Sequence, residues 1–199
     1  MRLLTTLLLM MTFFCEAQKK NIATHSVALQ DFITFVVDSY PTVSGELQKP
    51  KHINFLLQVG EEGYNSEDRI IIQQAFKLLS NRLTEGDVVS ISTYSQMNGI
   101  ALKEGDPKDI KGLLYTLDNL KSSIKEFHDD GISMAYKYME DHFSEELEHS
   151  IVIVRNPNAS TKGAMVSSEN QKKKTKQKNN AVVLTAIALL PELIAVIKD

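Results

Sequence analysis

Acidic side chains occur in two groups whose chemistry could serve a metal ion. Glu61 and Glu62 follow an apolar run, and Asp129 and Asp130 precede a helical pattern. A hard cation such as Mg²⁺ takes several oxygen ligands, so these acids could together build a cation site. Acids at a helix start also act as caps, and acids in loops are usually solvated. We favour caps and solvated loops over a cation site.

The chain contains five histidines, and none forms the His-x3-His pattern that places two imidazoles on one helix face. They are His25, His52, His128, His142 and His149. His128 beside Asp129 is the only one near a predicted functional edge, and we interpret it as a surface residue. The sequence has no Gly-x-Ser-x-Gly elbow, no phosphate-binding glycine loop and no nucleophile with an evident base. We therefore expect no catalytic site, and the chain is predicted not to be an enzyme.

A basic run separates the last two predicted strands. It consists of Lys172, Lys173, Lys174, Lys176 and Lys178. A solvated loop is the favoured interpretation, and a docking patch for anionic partners is the alternative. Because no aromatic residues are interleaved with the lysines, we do not expect nucleic acid as a partner.

The first residues have the pattern of a secretory leader. Arg2 is basic, residues 3–14 are largely apolar but shorter than the roughly 20 residues of a membrane span, and small residues precede Gln18. We predict a signal peptide over residues 1–17 and export to the periplasm, the cell surface or the medium. A buried helix and a lipid anchor at Cys15 are less favoured. Cys15 is the only cysteine, so the mature chain would have no disulfide and no thiol.

The elements that position these residues follow from hydrophobic periodicity. Strands are predicted at residues 53–59, 88–94, 100–102, 151–154 and 181–189, with the second and third antiparallel across Asn98-Gly99. Helices are predicted from Ser66, from Asp106-Pro107 and from about Asp130, with a short terminal helix opened by Pro191. The helix from Ser66 should bury Ile72, Ala75, Phe76, Leu79 and Leu83. The helix from Asp130 should bury Ile132, Ala135, Tyr136, Met139 and Phe143.

Strands that alternate with helices predict an α/β fold: a doubly wound, mostly parallel central sheet with one antiparallel edge strand and helices on both faces. With 199 residues and a formal net charge of -3, the chain suits one domain with no global bias toward nucleic acid or membrane. We place this domain at residues 51–199. Residues 18–50 form an N-terminal extension that could add an edge strand or dock elsewhere, and within it residues 27–37 could be helix or strand.

Two motifs resemble those of the von Willebrand factor type A family. Glu85-Gly86-Asp87-Val88-Val89-Ser90-Ile91-Ser92-Thr93-Tyr94-Ser95 is similar to that family's second strand, and Gly131-Ile132-Ser133-Met134-Ala135-Tyr136 is similar to a helix opening. The resemblance implies a three-layer fold, and in most members a divalent cation at the strand ends. Here the aspartate and serine positions of the first loop carry Gln58, Gly60 and Glu62. The later threonine and aspartate positions fall near Glu126 and at Asn156.

The resemblance thus implies a degenerate adhesion site without metal or cofactor. In such sheets ligands bind at the carboxyl ends of the strands. We therefore expect a partner protein from the envelope or the extracellular space, and no transmembrane segment once the leader is removed. The predicted partner-binding residues are Glu61, Glu62, Tyr64, His128, Asp129 and Asn156. The alternative is a metal-assisted hydrolase or cation-binding domain that uses a rebuilt acidic site.

Overall fold

The computed structural model describes residues 20–42 and 49–160. The predicted leader, the lysine run, the strand at residues 181–189 and the terminal helix lie outside the described residues. Within the described ranges the chain forms one five-stranded sheet with helices on both faces.

The sheet is mostly parallel, as predicted. Its strands are β1 (Ile22–Ala28), β2 (Lys51–Val59), β3 (Val88–Ser95), β4 (Gly99–Gly105) and β5 (Glu148–Arg155). Their order across the sheet is β1-β5-β2-β3-β4. The pairs β1–β5, β5–β2 and β2–β3 are parallel, and β3–β4 is antiparallel, which confirms the predicted antiparallel edge strand.

The N-terminal extension contributes an edge strand to this sheet. β1 pairs in parallel with β5, from Ile22 opposite His149 to Ala28 opposite Arg155. The ambiguous residues 27–37 contain both elements, because β1 ends at Ala28 and a 3-10 turn (Leu29–Asp31) leads into α1 (Phe32–Ser39).

The remaining helices are α2 (Ser66–Arg82), α3 (Ile110–Asp118), α4 (Leu120–Ser123) and α5 (Gly131–Asp141). Residues of α1, α2, α3 and α4 share one core with the sheet, where the rings of Phe32, Phe55 and Phe76 meet. α5 covers the opposite face, over Leu56 and Ile151. The central strand β2 is therefore buried on both faces, which explains why its sequence is almost continuously apolar.

The predicted α2 helix is confirmed. Its side-chain cap is Asn65, whose Oδ1 accepts from the Asp68 backbone N–H at 2.8 Å. All of the predicted inward residues are buried: Ile72, Ala75, Phe76, Leu79 and Leu83.

Two details of the helix predictions are wrong. The helix predicted from Asp106-Pro107 begins at Ile110, because Asp106 accepts from Lys108 N in a turn and Asp109 accepts from Gly112 N as the helix cap. In α5 the buried stripe contains Met134 and Tyr138, whereas Ile132 is 41% exposed.

The rotation of α5 follows from its first residue. A Cβ at Gly131 would lie 2.9 Å from Tyr94 Cα, so the glycine lies directly against β3. With Gly131 facing the sheet, positions three, four, seven and eight residues later face it too: Met134, Ala135, Tyr138 and Met139.

Candidate functional site at the carboxyl rim of the sheet

Loops from several strands converge at the carboxyl ends of the parallel strands. Gln96 N donates to Val59 O at 3.2 Å, and His128 N donates to Asn98 O at 2.9 Å. A Cβ at Gly60 would lie 3.6 Å from Ala159 Cα, so the loops after β2 and β5 also touch. These contacts form one surface, which we call the carboxyl rim: residues 58–65, 95–98, 126–131 and 155–159.

The two amides predicted at metal-ligand positions meet at this rim. Gln58 Oε1 accepts from the Asn156 backbone N–H at 2.9 Å and from the Tyr94 hydroxyl at 3.4 Å. Asn156 is 98 residues away from Gln58 in sequence, and the parallel pairing of β2 with β5 brings the two strand ends together. The amide of Gln58 thus binds protein groups at the place where the resemblance implies a metal-binding aspartate.

Asp68 is the centre of a buried polar network at the rim. It is only 4% exposed, although it lies in the first turn of α2. Its Oδ2 accepts from Asn65 Nδ2 at 2.9 Å and from Asn156 Nδ2 at 3.0 Å, and Asn158 Nδ2 lies 3.3 Å from its Oδ1. Four acceptor positions of a carboxylate are thus largely used by amide N–H groups, and the positive end of the α2 dipole adds to this stabilisation.

The network continues into the turn after β5. Asn156 Oδ1 in turn accepts from Asn158 N at 2.9 Å, which fixes the turn after β5. Within the described residues, no group of three or more His, Cys, Asp or Glu side chains has a geometry that could hold a metal ion. Sequence reasoning missed Asp68 and Asn158 as rim residues. The Asn65-x-x-Asp68 spacing, in which Asn65 caps the helix, is a local signal that could have identified the first of them.

Glu61 and Glu62 occupy an exposed turn beside the network. Gly63 N donates to Gly60 O at 3.0 Å, and Gly63 has φ +83, a left-handed conformation that glycine adopts without strain. The turn borders a groove of about 620 Å³, whose lining includes Arg69, Met97, Asp118 and Lys121.

Two of the predicted partner-binding residues are buried. Tyr64 is 8% exposed and Asn156 is 2% exposed, so neither offers much surface to a partner. Burial raises the pKa of the Tyr64 hydroxyl well above its usual value, and the nearby carboxyl of Asp68 adds to this. Tyr64 packs in the hydrophobic core, and the side chain of Asn156 binds Asp68. The residues next to them in sequence do not predict this burial. Both residues therefore lie beneath the surface of the rim.

His128 and Asp129 are exposed at the other end of the rim, as predicted. Asn98 Nδ2 donates to Asp129 O at 3.0 Å and so holds their loop. Phe127, 55% exposed, and Ile132, 41% exposed, flank the pair.

The interpretation of Asp130 as a cap is confirmed. Its Oδ1 accepts from the backbone N–H groups of Ile132 at 2.9 Å and of Ser133 at 3.2 Å. Hydrogen bonds from the Ser133 hydroxyl and then from these backbone groups lower the pKa of the Asp130 carboxyl. Glu126 lies in the same exposed loop, before the cap.

A second polar cluster lies at the opposite, amino ends of the strands. The rings of His52 and His149 are 5.4 Å apart, His52 Nε2 lies 2.9 Å from Ser90 Oγ, and Ser90 Oγ lies 3.2 Å from the Tyr138 hydroxyl. Burial is the main reason why the pKa of His52 is lowered to about 4, and the neighbouring His149 and His142 lower it further. Ser90 and His52 are almost fully buried, so neither side chain is exposed at the surface of the fold.

Comparisons of the chain with protein-family models, curated proteins and solved structures found no match. Across residues 20–42 and 49–160, no helix has the length and apolar character needed to cross a bilayer.

Proposed function

We propose that the chain is an exported module that binds another protein through the carboxyl rim of its sheet, without a bridging metal ion. The observation on which the proposal rests is the network of Asp68 with Asn65, Asn156 and Asn158. It supports the proposal because a rim fixed by amide-carboxylate hydrogen bonds can present a constant surface without an ion.

The exposed groups of the rim have the chemistry of a protein interface. Charged Glu61 and Glu62 lie at one side, and His128 and Asp129 with the apolar Phe127 at the other. Protein interfaces combine apolar anchors with a polar rim, and hydrogen bonds give them specificity. The resemblance to von Willebrand factor type A domains agrees with this role, and a signal peptide would place the module in the periplasm, at the cell surface or in the medium.

Charge reversal tests the proposal. The variant Glu61→Lys/Glu62→Lys should no longer capture a partner from the native source, because two carboxylates of the binding surface become cations. The matched control is Glu145→Lys/Glu146→Lys, which changes two exposed acids at the opposite end of the sheet.

Both variants should keep a thermal midpoint near that of the wild type, because exposed substitutions cost little stability. Affinity capture followed by mass spectrometry compares the proteins retained by the three forms. Equal capture by the rim variant and the wild type would remove these acids from the proposed interface.

A further inference from the structure

The two edges of the sheet differ in how well they are protected against further strand pairing. The edge strand β4 is irregular: its register with β3 shifts twice, and Glu104 has φ +46. Phe127 forms a bridge to Gly99 at the start of this strand, and Lys103 and Glu104 are exposed charged residues. Bulges, charges and covering loops of this kind keep an edge strand from pairing with another chain.

The strand β1, at the other edge, has none of these features. Its seven residues pair with β5 in one unbroken register and include no glycine, proline, lysine, arginine or carboxylate. Within the described ranges no strand lies on its outer side, and no loop of these ranges forms a backbone hydrogen bond with it. An edge strand presents a row of N–H and C=O groups to which another strand can add. The outer edge of β1 is therefore a template for strand addition.

The residues of β1 suit pairing with a second copy of the same strand. An antiparallel pair that uses all seven residues around a twofold axis places His25 opposite His25 of the second copy. Thr24 then lies opposite Ser26, and Ala23 lies opposite Val27. Opposed Thr and Ser hydroxyls form a favourable cross-strand pair, and no lysine, arginine or carboxylate faces another of the same sign.

Both faces of β1 are compatible with this arrangement. A twofold axis perpendicular to the sheet keeps each side chain on its own face, so Thr24 stays on the α5 face, where its Oγ1 lies 3.0 Å from the Tyr136 hydroxyl. His25 lies on the α1 face, with its ring 5.8 Å from that of Phe35. A groove of about 730 Å³ borders this second face and includes Ala23 and His25 in its lining. The imidazole of the second copy therefore has space beside His25.

We propose that the chain forms a symmetric homodimer in which the β1 strands of two copies pair antiparallel, centred on His25, and join the two sheets into one. Such pairing uses the same edge of both copies, so association stops at the dimer. A pair of short strands buries less surface than a standard protein interface, so we expect a dissociation constant in the micromolar range. The inference does not depend on the proposed partner protein, because the carboxyl rim consists of loops and strand ends outside β1.

Sedimentation velocity of the purified full chain over a range of concentrations tests for this dimer. The variant His25→Lys places two ammonium groups opposite each other and should raise the dissociation constant at least about tenfold. Tyr115→Lys is the matched control, because it introduces the same charge on α3 at a side chain that is 67% exposed, and it should dimerise like the wild type. His25 is also exposed, so both variants should keep a thermal midpoint near that of the wild type.

Disulfide trapping in a Cys15→Ser background tests the register of the strand pair. The variant His25→Cys places two thiols directly opposite each other, at a separation that a disulfide can bridge. In Ala23→Cys, on the same face, the two thiols are separated by four residues along the pair, roughly 13 Å, which is too far. With oxidised glutathione as the oxidant, we expect covalent dimers of His25→Cys to form at least about fivefold faster than those of Ala23→Cys.

A wild type that remains monomeric up to about 1 mM would overturn the inference, including the case in which another segment of this chain covers the edge of β1. Equal dimerisation of His25→Lys and the wild type would also overturn it, and so would equally fast disulfide formation by the two cysteine variants. No partner protein is present in these experiments, so their outcome is separate from that of the capture experiment.

Discussion

His52 should make the stability of the fold depend on pH. Its imidazole is 1% exposed and lies between Ser90 and His149, and burial lowers its pKa from 6.5 to about 4. In the unfolded chain the same imidazole has its ordinary pKa. Between these two values the unfolded state binds more protons than the folded state, so stability falls as the pH falls.

The size of the effect follows from the two pKa values. The difference between 6.5 and about 4 is about 2.5 pH units, and each unit corresponds to about 1.4 kcal/mol, so the loss approaches about 3 kcal/mol. The contribution is fully present above pH 6.5. It declines through the interval and is fully lost below about pH 4.

Urea unfolding of the wild type and of His52→Gln at several pH values between 7 and 4 measures the contribution of His52 to the pH dependence of stability. Carboxylates also titrate in this range, so the informative quantity is the difference between the two pH dependences. We expect the free energy of unfolding to fall by about 3 kcal/mol more in the wild type than in the variant. Parallel curves for wild type and His52→Gln would refute the reasoning, because burial of His52 would then carry no proton linkage.

Three further predictions concern the rim and the helix beside it. Asp68→Ala removes the acceptor for the side-chain amides of Asn65, Asn156 and Asn158, and leaving buried donors unpaired should lower the free energy of unfolding by about 3 kcal/mol. Glu67→Ala, at an exposed position of the same helical turn, should cost under about 1 kcal/mol, and equal losses in urea unfolding would contradict the central role of Asp68. Gly131→Ala places a Cβ 2.9 Å from Tyr94 Cα and should lower the free energy of unfolding by about 2 kcal/mol. An unchanged thermal midpoint would show that α5 can shift away from β3 without loss of stability. Finally, millimolar Mg²⁺, Ca²⁺, Mn²⁺ or Zn²⁺ should leave the melting temperature unchanged. Native-state binding at 100 times Kd would add about 2.7 kcal/mol, and a rise with any of these ions would favour the cation-binding alternative.

Much of the fold could be predicted because its elements have local signatures. The apolar run of β2 and the inward stripe of α2 are read from spacing alone, and both are found. The end of β3 and the hairpin at Asn98-Gly99 follow from turn residues in the same way. The rotation of α5 escaped prediction, because the close packing of Gly131 against Tyr94 outweighs the pattern of apolar residues.

The candidate site was predicted only in outline. The rim position of Glu61, Glu62, His128 and Asp129 follows from the rule that loops gather at the carboxyl ends of parallel strands. Which polar residues turn inward does not follow from that rule. Asn156 is buried where its side chain binds Asp68 of α2, and Tyr64 is buried as part of the hydrophobic core; both sets of contacts exist only in the folded chain.

By itself, the sequence determined the α/β class and the order of strands and helices between residues 52 and 155, because periodicity and turn chemistry act over a few neighbouring residues. Only the tertiary structure decided that β1 joins β5, that Asp68 meets an asparagine 88 residues away, and that His52 lies against His149. The physical reason is that a buried polar group must find its partner in space. The order in which strands pair across the sheet determines which residues become neighbours, whatever their separation along the chain.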